Sequence, residues 1–312
     1  MKCIVTGAAG FIGNKLVNKL KKEGYDVVGF IHKNEPKEKV KDVKYKCCDI
    51  TDKESVKDAF EECDCVFHCA AYVKDYGPKD LFYKINYEGT KNIYKESKKY
   101  KVKKFIYLSH IRYESENKLS LYSKTKKLSE EFLLEKFKRN DFPVTIIRPG
   151  NVYGPGATTW VLRPVKSIKK NRITLINHGE GLFLHTYIDN LVDAIVSVLK
   201  NNVKGEIINV TDGDNSHSWG EYLNRLSEMC GKGKIKRNLS KRQAMIIAKL
   251  MIFLNKIFKI KPWVTPMAVN VFTNTKKFDI DKAKNLLDYK PKINYEKGIS
   301  NVEKWLNKEG YI

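Results

Sequence analysis

Apolar positions in the first half of the chain follow two alternating rhythms. Short β-branched runs at residues 3–6, 27–31, 44–48, 65–68, 105–109 and 144–148 read as strands. Between them the apolar residues recur every three to four positions, which predicts helices over 11–22, 53–61, 80–100 and 120–138. Strand followed by helix, repeated, is the arrangement of βαβ units and a parallel sheet. After Arg148-Pro149-Gly150 the rhythm loosens through Pro155 and Pro164, then resumes as a helix over 189–199 and a strand over 206–210. The pattern predicts an α/β fold, a doubly wound parallel sheet built from 1–150 and 186–211. A smaller, discontinuous C-terminal lobe would comprise 151–185 and 212–312.

Where the first strand meets the first helix the chain reads Thr6-Gly7-Ala8-Ala9-Gly10-Phe11-Ile12-Gly13. Glycines there permit a tight turn, close approach of backbone to a pyrophosphate and close helix packing, while the helix N-terminus offers N–H donors and its positive dipole end. In this strand-turn-helix setting they mark a dinucleotide site on a Rossmann-type sheet. Cofactor choice turns on the end of the second strand, where an NAD enzyme commonly sets an acidic residue against the ribose hydroxyls. Here the chain has Ile31-His32-Lys33. With no carboxylate to repel a phosphate and two cationic side chains at hand, His32 and Lys33 favour NADP(H) over NAD(H). The cleft is expected between the dinucleotide domain and the second, substrate-binding lobe.

Tyr122 and Lys126 stand four residues apart at the start of a helix and share one face. A phenol with a pKa of about 10 exchanges protons poorly at neutral pH, and a neighbouring ammonium stabilises its phenolate. Alone, the pair is commonplace in a lysine-rich chain. It occurs together with Val66-Phe67-His68-Cys69-Ala70-Ala71, Asn86-Tyr87-Glu88-Gly89-Thr90-Lys91-Asn92 and Arg148-Pro149-Gly150-Asn151-Val152-Tyr153-Gly154-Pro155, in order along the chain. Over essentially its whole length the sequence resembles an extended short-chain dehydrogenase/reductase of the NAD-dependent epimerase/dehydratase type. Within that group it looks most like the 3β-hydroxysteroid dehydrogenase-like members, through Ala71-Tyr72-Val73-Lys74-Asp75-Tyr76-Gly77-Pro78 and the tail from Pro262 to Asp279.

The resemblance implies roles. Gly7, Gly10, Phe11, Ile12 and Gly13 would hold the pyrophosphate, Asp49 and Ile50 would flank the adenine, and Ala70 and Ala71 would line the cofactor cleft. Pro149 to Val152 would run beside the nicotinamide, and Val73, Tyr76 and Asn151 would face the substrate. Lys126 would bond the nicotinamide ribose and tune Tyr122, which exchanges a proton with the substrate oxygen as hydride moves. Asn86 is expected to be structural or a water relay. One departure stands out: the family usually ends its fifth strand with two hydroxyl residues, the second bonding the reacting oxygen, whereas here the run is Tyr107-Leu108-Ser109-His110. His110, or Ser109 after a one-residue shift, is expected to fill that role. Nucleotide-sugar members commonly place an arginine in the stretch matching Gly179 to His185, where this chain has Phe183. An apolar side chain there favours a hydrophobic substrate, although Lys74 and Arg163 offer alternative cations. A nucleotide-sugar epimerase or dehydratase is the competing reading, and a non-catalytic cofactor-binding regulator a third.

Charge alters this picture less than its size suggests. A net +23 would suit phosphate backbones, but only eight of the 59 basic residues are arginines and no nucleic-acid module is recognisable. A small-molecule substrate and no nucleic-acid partner are expected. The first residues lack the apolar run of a signal peptide, so a cytoplasmic location is expected. The seven cysteines form no C-x-x-C pair and are read as reduced and buried. The six histidines are not clustered at ligand spacing, so no metal is expected. Residues 244–260, largely apolar but broken by Lys249, Asn255, Lys256 and Lys259, are too short and too charged to span a bilayer. They suit either a peripheral membrane contact or packing on the second lobe or in a homodimer.

Overall fold

The computed structural model describes residues 1–36, 38–112 and 119–312. Its strands are β1 (Lys2–Thr6), β2 (Asp26–Ile31), β3 (Lys44–Cys47), β4 (Cys65–His68), β5 (Lys104–Leu108), β6 (Val144–Pro149), β7 (Asn151–Tyr153), β8 (Leu175–Ile176), β9 (His185–Tyr187), β10 (Glu206–Val210) and β11 (Asn238–Leu239). Seven of them form one parallel sheet in the order β10-β6-β5-β4-β1-β2-β3. The order reverses between β1 and β4, and that switch point opens the crevice in which such sheets bind ligands.

The helices are α1 (Phe11–Lys22), α2 (Lys53–Val56), α3 (Lys79–Phe82), α4 (Gly89–Lys99), α5 (Leu121–Asn140), α6 (Arg163–Lys169), α7 (Ile188–Ser197), α8 (Trp219–Met229), α9 (Lys241–Phe258), α10 (Pro266–Phe272), α11 (Asp281–Leu287) and α12 (Tyr295–Lys308). One core cluster holds Leu16, Val17 and Leu20 of α1 with Leu191, Val192 and Ile195 of α7. A second cluster holds Phe60, Ile93, Tyr94, Leu133 and Phe142. With both faces covered, the strands carry near-continuous apolar runs, as in β4, where all four residues are buried.

Two expected helices are modified by tertiary contacts. The helix expected over 53–61 stops at Val56, because Lys57 is extended and Asp58 left-handed. The Asp58 carboxylate accepts from Lys99 Nζ and the Tyr100 hydroxyl, both at 2.6 Å, which ties this turn to the end of α4. The helix expected over 80–100 contains a wider, π-type turn at Tyr83–Glu88. That turn leaves the Asn86 carbonyl to accept from the hydroxyls of Thr90 (2.7 Å) and Ser129 (2.8 Å).

The chain leaves the sheet after Pro149, pairs β7 in parallel with β9, and returns through α7 and β10 at the sheet edge. The two lobes share a core. The cluster containing Val5 and Leu16 runs on through Tyr153, Phe183, Trp219 and Tyr222. Among the cysteines Cys47 departs from expectation: its thiol is exposed, 2.8 Å from the His32 carbonyl.

Candidate active site

Parallel register brings Thr6, His68, Tyr107 and Ile146 into one row across β1, β4, β5 and β6. The residues that follow each of them therefore collect along the carboxyl edge of the sheet. After β1, Gly7 has φ +69°, and a Cβ there would lie 2.9 Å from the Cα and N of Ala70. The first turn thus lies directly against the turn after β4. A Cβ on Gly13 would sit 2.2 Å from the Gly7 carbonyl oxygen, so the helix packs on its own entry loop. Gly10 caps α1 without any side-chain bond, which leaves the first N–H groups open to an anion. Phe11 and Ile12 are half-buried on the same turn. These features fit a dinucleotide pyrophosphate.

At the end of β2, His32 and Lys33 are exposed. The fold also brings a carboxylate here from the end of β3: Asp49 lies 3.3 Å from His32 Nε2. Although burial pushes its pKa up, bonds from the Thr51 backbone and hydroxyl, together with His32, hold the Asp49 carboxyl below the usual range. Ile50 is buried beside it.

Behind the cleft, His68 Nδ1 lies 2.7 Å from the Thr6 hydroxyl and Nε2 lies 3.0 Å from that of Thr90. Because Thr90 donates to the Asn86 carbonyl, it accepts from His68 Nε2–H, and Nδ1 accepts from Thr6. Burial first, then the Lys126 charge, pulls the His68 pKa down to about 3, so the ring is a neutral brace. Thr6 in turn accepts from the Ala70 N–H at 3.1 Å. Asn86 bonds the Tyr72 backbone (2.7 Å) and Thr125 on α5 (3.1 Å), fastening the Ala70-Ala71-Tyr72 turn to the helix that carries Tyr122.

α5 begins at Ser120, whose hydroxyl accepts from the Ser123 N–H. Tyr122 and Lys126 both point inward, 9% and 1% exposed. Lys126 Nζ donates to the Leu108 carbonyl at 2.5 Å and lies 4.0 Å from the centre of the Tyr107 ring. Burial pulls its pKa down to about 7, against an opposing pull from Glu130. The expected lowering of the Tyr122 phenol by Lys126 is not what the geometry gives. Burial, then Glu130, raises the phenol, and the ammonium is directed at Leu108.

Of the two candidates for the third role, His110 is the one whose ring meets Tyr122, with centroids 4.6 Å apart. Its Nε2 lies 3.0 Å from the Ser123 hydroxyl, and Nδ1 has no hydrogen-bond partner among the described residues. Burial, then Lys126 and Arg112, pulls its pKa down to about 3, so the ring is neutral. Ser109 is buried, and its hydroxyl faces the Glu130 carboxylate rather than Tyr122.

Sequence reasoning missed Glu130, one more turn along the face that carries Tyr122 and Lys126. It is 2% exposed and accepts from Arg148 Nε (2.8 Å), Arg148 Nη2 (2.5 Å) and Arg112 Nη1 (2.9 Å). Despite burial, the two guanidinium groups hold its carboxyl below the ordinary range. Its four-residue spacing was visible, but its partners come from β6 and from the segment after β5.

After β6, Pro149 and Asn151 are buried and Val152 is half-buried. The Asn151 side-chain amide nitrogen has no partner among the described residues. Val73 is exposed and Tyr76 half-buried. Phe183 requires a correction: it is 1% exposed, stacked on Tyr222 at 4.0 Å and packed on Trp219 at 4.6 Å. It is a core ring of the second lobe rather than a wall of the cleft.

Residues 3–211 match the family model described as NAD dependent epimerase/dehydratase family. The chain is 24% identical to the sterol-4-alpha-carboxylate 3-dehydrogenase, decarboxylating, of Mus musculus, over 96% of this chain and 90% of that protein. It is 27% identical to the UDP-N-acetyl-alpha-D-glucosaminuronate decarboxylase of Bacillus cytotoxicus, over 97% of each. The solved UDP-glucose 4-epimerase of Thermotoga maritima superposes with a TM-score of 0.80 at 23% identity, covering 99% of both chains.

Proposed function

The chain belongs to the NAD dependent epimerase/dehydratase family, a family of NAD-dependent enzymes, and we propose that it is an NAD(P)(H)-dependent oxidoreductase acting on a secondary alcohol or ketone of a hydrophobic, steroid- or lipid-like substrate. The observation that carries this reading is the group of buried Tyr122 and Lys126 with half-buried His110 at the carboxyl end of β5, on the same sheet edge as the glycine turn after β1. When bound, the nicotinamide supplies or accepts the hydride. Gly7 to Gly13 would hold its pyrophosphate and Lys126 its ribose. Tyr122, whose buried phenol keeps its proton, donates it to the substrate oxygen in the reductive direction and takes it back in the oxidative one. His110, in the tautomer whose Nε2 accepts from Ser123, donates Nδ1–H to the same oxygen as it becomes a carbonyl. His68 and Asn86 keep the floor rigid and dry.

The substrate class rests on two supports. Sterol-4-alpha-carboxylate 3-dehydrogenases stand among the relatives, and the second lobe presents an apolar face. On α9 and just beyond it, Ile246, Leu250, Phe253, Ile257, Phe258, Ile260 and Trp263 are 46–64% exposed. No helix of the described residues is long and apolar enough to cross a membrane. This face, with Lys249, Lys256 and Lys259 among its apolar residues, supports a peripheral contact with an anionic lipid surface. A homodimer covering the same stripe is the competing occupant. Vesicle sedimentation at low salt against light scattering of the free protein separates them.

For the cofactor, His32 and Lys33 support NADP(H), and Asp49 against His32 is the observation that favours NAD(H). A nucleotide-sugar epimerase or decarboxylase is the second reading. It gains from Phe183 being turned into the core, and from Lys74 and Arg163 lying near Asp75, whose carboxyl pKa burial raises against their pull. The test is nicotinamide turnover against panels of hydrophobic ketones and nucleotide sugars. Loss of turnover in Tyr122→Phe with cofactor affinity retained supports the oxidoreductase, and turnover of the sugar panel alone transfers the assignment to the second reading.

A further inference from the structure

In the second lobe, two histidines are oriented in a way that the hydride chemistry does not use. His185 on β9 is 1% exposed, with Nδ1 2.8 Å from Asp212 Oδ2. Its Nε2 has no hydrogen-bond partner among the described residues. His217, at the entry to α8, has Nδ1 2.6 Å from Glu221 Oε1 and Nε2 3.2 Å from Asp214 Oδ2. Each ring is therefore held at Nδ1 by a carboxylate. The atoms left over are the two Nε2 nitrogens and the carboxylate of Asp214. One ligand atom from each of His185, Asp214 and His217 falls within a span of 4.8 Å. The Tyr295 ring, stacked on His217 at 3.7 Å and 5.2 Å from His185, walls the cluster on one side. Asp214 is about half exposed on the other.

We propose that His185 Nε2, His217 Nε2 and Asp214 form a site for a divalent cation of the zinc class. A carboxylate on the far nitrogen of a histidine fixes the tautomer and aims the near lone pair, which is the usual support of a histidine metal ligand. Asp212 and Glu221 both occupy that position here. Two imidazoles and one carboxylate select zinc-like ions over magnesium or calcium, which want oxygen donors only. Tetrahedral zinc with bonds of about 2.0–2.1 Å needs ligand atoms roughly 3.4 Å apart. From a span of 4.8 Å the wider separations, which involve His185, must close by up to about 1.4 Å, and His217 and Asp214 lie on the partly exposed segment before α8 that can supply the movement. A water on the solvent side completes the shell. The local charge also fits: in a chain of net +23, three carboxylates gather around these two rings. The ion would clasp β9 to the segment between β10 and α8. This site is independent of the catalytic reading.

The full chain, stripped with a chelator, is titrated with Zn2+ against a competing chromophoric chelator, with Co2+ absorption as a second readout. We expect one equivalent bound, and a Tm rise of about 5 °C at a hundredfold excess over Kd. His217→Ala and Asp214→Ala, both at partly exposed positions, should lower affinity at least tenfold. Glu221→Gln, which touches no metal, should lower it roughly 10- to 100-fold. Cys47→Ser and His178→Ala should change nothing, which separates the site from adventitious thiol or imidazole binding. Zinc binding that persists unchanged in both ligand variants, or a Tm rise that Mg2+ reproduces, overturns the proposal.

Discussion

Replacing Lys126 by Met should stabilise the fold while abolishing turnover. The ammonium is 1% exposed and rests on one carbonyl and one ring face, and burial brings its pKa from the ordinary 10.5 to about 7. The unfolded chain keeps this proton up to a pH of about 10.5, the folded chain only to about 7. Between those limits the unfolded state binds more protons, so stability rises with pH, and the cost of burying the charge is complete below about pH 7. That cost is on the order of 5 kcal/mol. Met removes it but forfeits the bond to Leu108 and the contact with Tyr107, together about 2 kcal/mol. The net expectation is a gain of roughly 3 kcal/mol at pH 6 that shrinks as pH rises and becomes a loss of about 2 kcal/mol near pH 10.5. Urea unfolding of both proteins at several pH values, with unchanged slope, measures it. A variant no more stable than its parent at pH 6, or a difference that does not vary with pH, would refute the assignment of Lys126 as a charge buried at a cost for function.

Four further outcomes follow from the same geometry. Phe183→Ala should cost about 3–5 kcal/mol in urea unfolding and leave substrate KM nearly unchanged, whereas a raised KM with full stability would return Phe183 to the cleft wall. Gly7→Ala places a Cβ against the Ala70 backbone at a left-handed position, so dinucleotide affinity by calorimetry should fall more than tenfold, and an unaffected affinity would remove the turn from the cofactor site. His110→Ala should lower kcat/KM by about 100-fold, with partial recovery in His110→Thr; equal rates in all three proteins would leave the ring no part in the reaction. Lys33→Ala should weaken NADPH binding several-fold more than NADH binding, and parallel changes would count against a phosphate contact at the end of β2.

What the sequence disclosed and what it hid divide along physical lines. The glycine turn was readable because its demands are steric and local, and Tyr122 with Lys126 because a helix fixes which side chains share a face. Glu130 lies on that same face, but its meaning depends on Arg148 and Arg112, which only the assembled sheet brings to it. Asp49 reaches His32 through pairing of β2 with β3, so reading the second strand alone found no carboxylate. The helix over 53–61 satisfied the periodicity but yielded to the docking of Asp58 on α4. Phe183 sits in an irregular segment where no period says which way a side chain points. His185 and His217, far apart in sequence, meet only because β9 and the entry to α8 come together in the second lobe.

The placement of these groups bears on how one scaffold serves relatives with such different names. The polar groups of the candidate site are buried and tied across the sheet edge: His68 to Thr6 and Thr90, Asn86 to α5, Lys126 to β5, Glu130 to β6. Even the charge is balanced locally, since Arg112 and Arg148 both pair with the buried Glu130 carboxylate. A change at His68, Asn86 or Glu130 leaves a buried polar group without its partner, at a cost of about 1–3 kcal/mol for each neutral group and more for a charge. By contrast Val73, Lys74 and Asp75 are exposed, and the apolar stripe of α9 makes few demands on the core. Substitution there is cheap, so the surface around the candidate site can vary while its buried network stays fixed. The chain is about as similar to a sterol dehydrogenase as to a nucleotide-sugar decarboxylase, at 24% and 27% identity. The contrast between fixed network and variable surface directs the search for the substrate to the mouth and the second lobe rather than to the catalytic helix.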